Sequence, residues 1–114
     1  MDDRGGERMT IIDKIGFDEV LLQLAEEASE LSQAALKLRR ARMGINPTPI
    51  TCEKANLHLL EEIADVTLCF GALDLTDMEL DYVEHIAKKK YRRWKKRLGI
   101  TKEGDDEDDS RRED

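Results

Sequence analysis

Aromatic residues make up only 4% of this 114-residue chain, proline occurs twice and cysteine twice. β-Branched residues form no alternating run, so the pattern that a half-buried sheet requires is missing. Cys52 and Cys69 lack the spacing of a disulfide framework, and no secretory signal is recognisable. A reduced, cytoplasmic protein is the expectation. The longest apolar run is far too short to span a bilayer, so a soluble protein is the expectation. Neither cysteine nor histidine recurs at the spacing of a soft-metal site.

What the chain does have is charge. Asp, Glu, Lys and Arg account for 39% of it, with a formal net charge of -7. The distribution is uneven: 88–97 is strongly basic and 102–114 strongly acidic. Overall acidity argues against generic nucleic-acid binding, while the basic block keeps that question open.

The stretch from Leu57 to Leu75 organises the rest. Read as a helix, it carries one apolar stripe of Leu57, Leu60, Ala64, Thr67 and Gly71, and a second of Leu59, Ile63, Val66, Phe70 and Leu73. Two stripes predict a helix inside a bundle. Glu61, Glu62 and Asp65 share the remaining sector. Buried together they repel and lose hydration, so they require a compensating cation.

Around this helix the expected architecture is all-α, with three main helices per chain. Residues 1–10 read as a loose N-terminus, 11–99 as the helical domain and 100–114 as a disordered acidic tail. Ile11 to Gly16 is a short lead-in. The first long helix begins near Asp18, its expected cap, with a heptad-like seam of Leu21, Leu24, Ala28, Leu31, Ala35 and Leu38. Gly44, Asn46, Pro47 and Pro49 turn the chain, and Thr51 caps the second helix. Thr76-Asp77-Met78-Glu79 has capping-box spacing for a third, with Leu80, Val83, Ala87, Tyr91 (or Lys90), Trp94 and Leu98 turned inward and Gly99 as its stop. Three helices cover a doubly apolar middle helix poorly. A homodimer or homotetramer completing a four-helix-type bundle is therefore expected. The competing arrangement is a monomer with a short fourth helix over residues 8–16.

Two acidic clusters repeat one pattern: Glu26-Glu27-x-x-Glu30 on the first helix and Glu61-Glu62-x-x-Asp65 on the second. Residues three and four apart share a helix face. If the helices pack antiparallel, Glu27, Glu30, Glu62 and Asp65 form an all-oxygen cage. Such a donor set selects a hard ion, Mg²⁺ first and Mn²⁺ second. Mg²⁺ is usually shared with substrate phosphates, so the cage reads as a platform for a phosphorylated ligand. A di-iron bundle would want Glu-x-x-His on two helices, and neither His58 nor His85 has that relation. A single such cluster is ordinarily a solvated face; two of them, one set among apolar residues, are not.

EEASELSQAALKLRR, NPT in the connecting loop and HLLEEIADV together resemble the MazG-like all-α nucleoside triphosphate pyrophosphohydrolases, above all the short single-domain members of phages and prophages. The resemblance runs from about Leu21 to Leu98. It implies a Mg²⁺-dependent enzyme that cleaves a (deoxy)nucleoside triphosphate between the α and β phosphates. It implies Glu27, Glu30, Glu62 and Asp65 as metal ligands. Glu26 and Glu61 match the preceding acids, with roles in hydrogen bonding to the ligands or in orienting the attacking water. Glu26 or Glu27 would take the proton from that water. Gln33 and Lys37 would line the nucleotide pocket. The family's K-x-N-R-like patch falls on Lys90-Tyr91-Arg92-Arg93, which assigns Lys90 and Arg93 to phosphate and leaves Arg92 where Asn is expected.

Eight cations stand between Lys88 and Arg97, and some of this excess is what a helix C-terminus favours anyway. They support a rival reading: a non-catalytic helical dimer that binds nucleic acid or a protein partner through this segment. His58 shares Glu62's sector one turn earlier and reads as a half-exposed helix histidine. Trp94 and Tyr91 read as plugs of the bundle end, and Cys69 as inert core.

Overall fold

The computed structural model of the chain describes residues 8–100. The expectations for residues 1–7 and 101–114 lie outside the described residues. Those described are helical, in the order α1 (Ile11–Ile15), α2 (Phe17–Met43), α3 (Cys52–Ala72) and α4 (Asp77–Arg97), and no strand occurs among them. The chain divides into two compact units, one ending at Asp74 and the other beginning at Leu75. No described helix is long and apolar enough to cross a membrane.

Local signals account for the helix ends. Thr10 caps α1 in a reciprocal box with Asp13, its hydroxyl accepting from the Asp13 amide and the Asp13 carboxylate accepting from the Thr10 amide, both at 3.1 Å. Thr10 is thus a cap and not part of a loose arm. The cap of α2 is Gly16, not Asp18, which lies within the first turn. Gly16 ends α1 and starts α2 with φ 93° and ψ 158°, a conformation reserved for glycine. The turn therefore depends on the absence of a side chain there. At the far end of α2, Gly44 adopts the left-handed conformation and its amide donates to the Arg40 carbonyl at 3.0 Å. Thr51 caps α3, accepting from the Lys54 amide. Thr76 and Glu79 form the expected box on α4. Beyond Arg97 the Gly99 and Ile100 amides close on the Lys96 and Lys95 carbonyls at 3.0 Å each, a Schellman ending.

In the first unit α2 and α3 form a long antiparallel hairpin, with α1 folded against α2. The Cys52 thiol donates to the Ala41 carbonyl at 3.3 Å and closes the hairpin at the loop end. The covered face of α2 is Val20, Leu24, Glu27, Leu31, Ala34, Leu38 and Ala41. Leu24, Leu31 and Leu38 were expected there. Leu21, Ala28 and Ala35 are exposed instead, and Val20, Glu27 and Ala34 take their places. The seam is turned by one residue, which moves Glu27 from its shoulder into its middle. On α3 the covered face is Ala55, Leu59, Glu62, Val66 and Cys69, continued by Leu73 just past its end.

Neither apolar stripe expected of α3 is covered as a whole. Leu57, Leu60, Ile63 and Phe70 are exposed, and Leu68 is 72% exposed. The buried apolar side chains of the described residues are only Val20, Ala34, Ala55, Val66 and Cys69. In the second unit, Leu80, Val83, Ala87, Tyr91, Trp94 and Leu98 are exposed. The less exposed side chains of α4 are Ile86, Lys89, Arg92, Arg93 and Lys95.

Candidate metal centre

The antiparallel hairpin brings the middle of α2 against the middle of α3, and that is where the two acidic clusters lie. Carboxylate oxygens of Glu27, Glu30 and Glu62 come within 4.8 Å of one another. Glu62 is 7% exposed and Glu27 half-buried, whereas Glu30 stands at the open edge. A buried carboxylate ordinarily has its oxygens paired. Here one oxygen of each buried acid is paired and the other is not. Glu27 Oε2 accepts from the Gln23 amide at 2.8 Å, and Glu62 Oε2 lies 3.2 Å from His58 Nε2. The Oε1 atoms of both are buried without a hydrogen-bond partner. Two orphaned anionic oxygens beside a third carboxylate are costly on their own. An all-oxygen donor set of this kind fits a hard divalent cation, with Glu27, Glu30 and Glu62 to hold it.

Asp65 stands outside this trio. It lies three residues beyond Glu62, rotated about 60° around α3 by the helical repeat. Half-buried, it lines an adjoining cavity of about 260 Å³ with Glu27. Ile11 and Ile15 of α1, Val20 and Gln23 of α2, and Leu68, Cys69 and Ala72 of α3 complete the lining. The cavity is largely apolar, with Glu27 and Asp65 as its acids. Burial pushes the Cys69 thiol above its ordinary value, and the negative charges of Glu27 and then Asp65 push it further the same way. A protonated, unreactive thiol at that wall is the result.

Glu26 and Glu61 are exposed, each turned about 100° away from its buried neighbour. Gln33 is exposed and Lys37 half-buried. Both lie toward the loop end of α2, and neither lines the cavity, which is at the α1 end. Lys90 and Arg93 belong to the second unit, where they and Arg97 surround a depression of about 240 Å³ on α4. Tyr91 carries the Lys95 ammonium 5.5 Å above its ring.

Sequence reading overlooked Gln23, although its place four residues before Glu27 is the spacing at which helix side chains meet. It also overlooked the α1 isoleucines, for which nothing local signals a cavity. Compared with models of protein families, with curated proteins and with solved structures, the chain matches none.

Proposed function

We propose that this chain is a Mg²⁺-dependent nucleotide pyrophosphohydrolase of the MazG-like all-α type, cleaving a (deoxy)nucleoside triphosphate to the monophosphate and pyrophosphate. The observation that carries the reading is the pair of orphaned oxygens, Glu27 Oε1 and Glu62 Oε1, on two acids whose carboxylates, with that of Glu30, bring oxygens within 4.8 Å of one another. Structural acids are seldom buried unpaired, because nothing then offsets their lost hydration. Acids meant for a cation are.

In this reading Glu27, Glu30 and Glu62 hold the ion, and Asp65 stands by on the cavity side. The bound ion would neutralise phosphate oxygens and lower the pKa of a water ligand. The remaining work belongs to the chain. The apolar walls of the cavity, Ile11, Ile15, Val20 and Leu68, take the organic part of the substrate and exclude water around it. Glu27 touches both the trio and the cavity, so it links the phosphate end of a ligand to its organic end. Exposed Glu26 and Glu61 remain reachable by water at the edge of the site. Lys90 and Arg93 are proposed as phosphate contacts on the strength of the resemblance and of their shared face on α4.

The exposed apolar residues of α3 support a homodimer or homotetramer, in which Leu57, Leu60 and Phe70 are buried by another copy. Cytoplasmic nucleotide metabolism is the proposed setting.

The test is pyrophosphate release from a panel of the eight common nucleoside triphosphates. Release with Mg²⁺, its loss in EDTA and its loss in Glu62→Gln are expected. Activity that persists in EDTA would overturn the proposal. The rival, binding of nucleic acid through α4, is favoured by the cationic depression at Lys90, Arg93 and Arg97. It predicts salt-sensitive DNA or RNA binding that Glu62→Gln leaves unchanged.

A further inference from the structure

Glu27 and Glu62 are each preceded, four residues earlier on the same helix, by a polar side chain that reaches one carboxylate oxygen. Gln23 Nε2 donates to Glu27 Oε2 at 2.8 Å. His58 Nε2 stands 3.2 Å from Glu62 Oε2. Pairs at this spacing are common on helix surfaces, where both carboxylate oxygens stay wet. Here the donor occupies one oxygen while the other is buried and unpartnered. The terminal torsion of a glutamate is soft, so without such a tie its carboxylate rotates broadly.

We propose that Gln23 and His58 are positioning residues that lock the carboxylates of Glu27 and Glu62 with one oxygen turned to a divalent cation. The inference rests on the metal-centre reading above and adds the groups that orient its ligands. Because α2 and α3 run antiparallel, the two donors approach from opposite ends of the site, Gln23 from the α1 end and His58 from the loop end. The Gln23 amide donates a hydrogen bond yet leaves the negative charge for the ion. A lysine at either position would compete with the ion for it. Gln23 also lines the apolar cavity, which places a polar group at the junction of cavity and centre.

The experiment measures Mn²⁺ affinity of the full chain by titration calorimetry and electron paramagnetic resonance, with no substrate present. Gln23→Leu and His58→Leu keep side-chain bulk and remove the donor. Each is expected to weaken Mn²⁺ binding about 10–100-fold, the usual cost of removing a group that orients a metal ligand. His58→Gln is expected to restore near-native affinity, since Gln23 shows that glutamine spans four residues to a glutamate. Unchanged affinity in both leucine variants overturns the proposal, as does a His58→Gln variant as weak as His58→Leu. Circular dichroism checks each fold, and Gln23→Met replaces Gln23→Leu if the latter loses its helical spectrum. Glu62→Gln separates the two readings. If the wild type binds no Mn²⁺, or Glu62→Gln binds it equally well, the metal centre itself is wrong and the positioning role falls with it.

Discussion

Replacing Glu62 by Gln should change the sign of its effect on stability according to whether a divalent cation is present. Oxygens of Glu27 and Glu62 lie within 4.8 Å. At an effective dielectric constant of about 20, two unit charges at that separation repel by roughly 3 kcal/mol. The substitution removes that repulsion and weakens the contact to His58, which costs about 1 kcal/mol. In EDTA, Glu62→Gln should therefore be more stable than the wild type by about 1–2 kcal/mol. For a domain of this size that is an increase in Tm of roughly 5–10 °C. Saturating Mg²⁺ reverses the order. At a hundredfold excess over Kd the wild type gains about 2.7 kcal/mol, while the variant, lacking a ligand, gains little. Differential scanning calorimetry at one fixed protein concentration, with EDTA and with Mg²⁺, reads both effects. A Glu62→Gln variant less stable than the wild type in EDTA, with neither protein shifted by Mg²⁺, would exclude a cation as the partner of these acids. It would mean that the acid trio is held by something other than an ion.

Gly16→Ala should destabilise the first unit by about 1–3 kcal/mol, seen in urea denaturation, because its backbone conformation is one that only glycine adopts freely. An added Cβ meets nothing within 4 Å, so the cost is conformational and not a clash. At pH 8, iodoacetamide should label Cys52, which is exposed, and leave Cys69 untouched until the chain unfolds, as peptide mass mapping would show. The raised Cys69 pKa also carries a sign: the folded state keeps a proton that the unfolded state loses above about 9.0. That contribution is fully present below this value and is lost as pH rises through the folded pKa, so in Cys69→Ala this component of the alkaline decline should vanish. Leu60→Glu, on an exposed side of α3, should convert an assembled species to monomer in sedimentation velocity. In a chain that is monomeric already it should leave both mass and stability within about 0.5 kcal/mol of the wild type.

The helix ends were legible from the sequence because caps are local. Thr51, Thr76 with Glu79, and Gly99 each act on amides or carbonyls within a few residues, and all stand where the pattern put them. The acidic clusters were legible too, since three- and four-residue spacing defines a helix face before any packing occurs. Asp18 was misread as a cap because Gly16, which carries no polar side chain, offers no capping signal. The apolar residues of α4 are exposed although its spacing predicts an apolar face, because periodicity shows that a face is apolar and not what covers it.

The chain's residues by themselves settled that it is helical, where its three long helices run, and that two like acid patterns lie on neighbouring helices. Only the tertiary structure decided which residues of α2 face α3. A heptad leaves adjacent seams nearly equal in apolar content, and the choice between Leu21–Ala28–Ala35 and Val20–Glu27–Ala34 is made by the partner helix. That one-residue rotation buries Glu27, sets it against Glu62 and directs Asp65 to the cavity instead. The chemistry of the site thus rests on a packing energy shared between two helices, which no window along one of them contains.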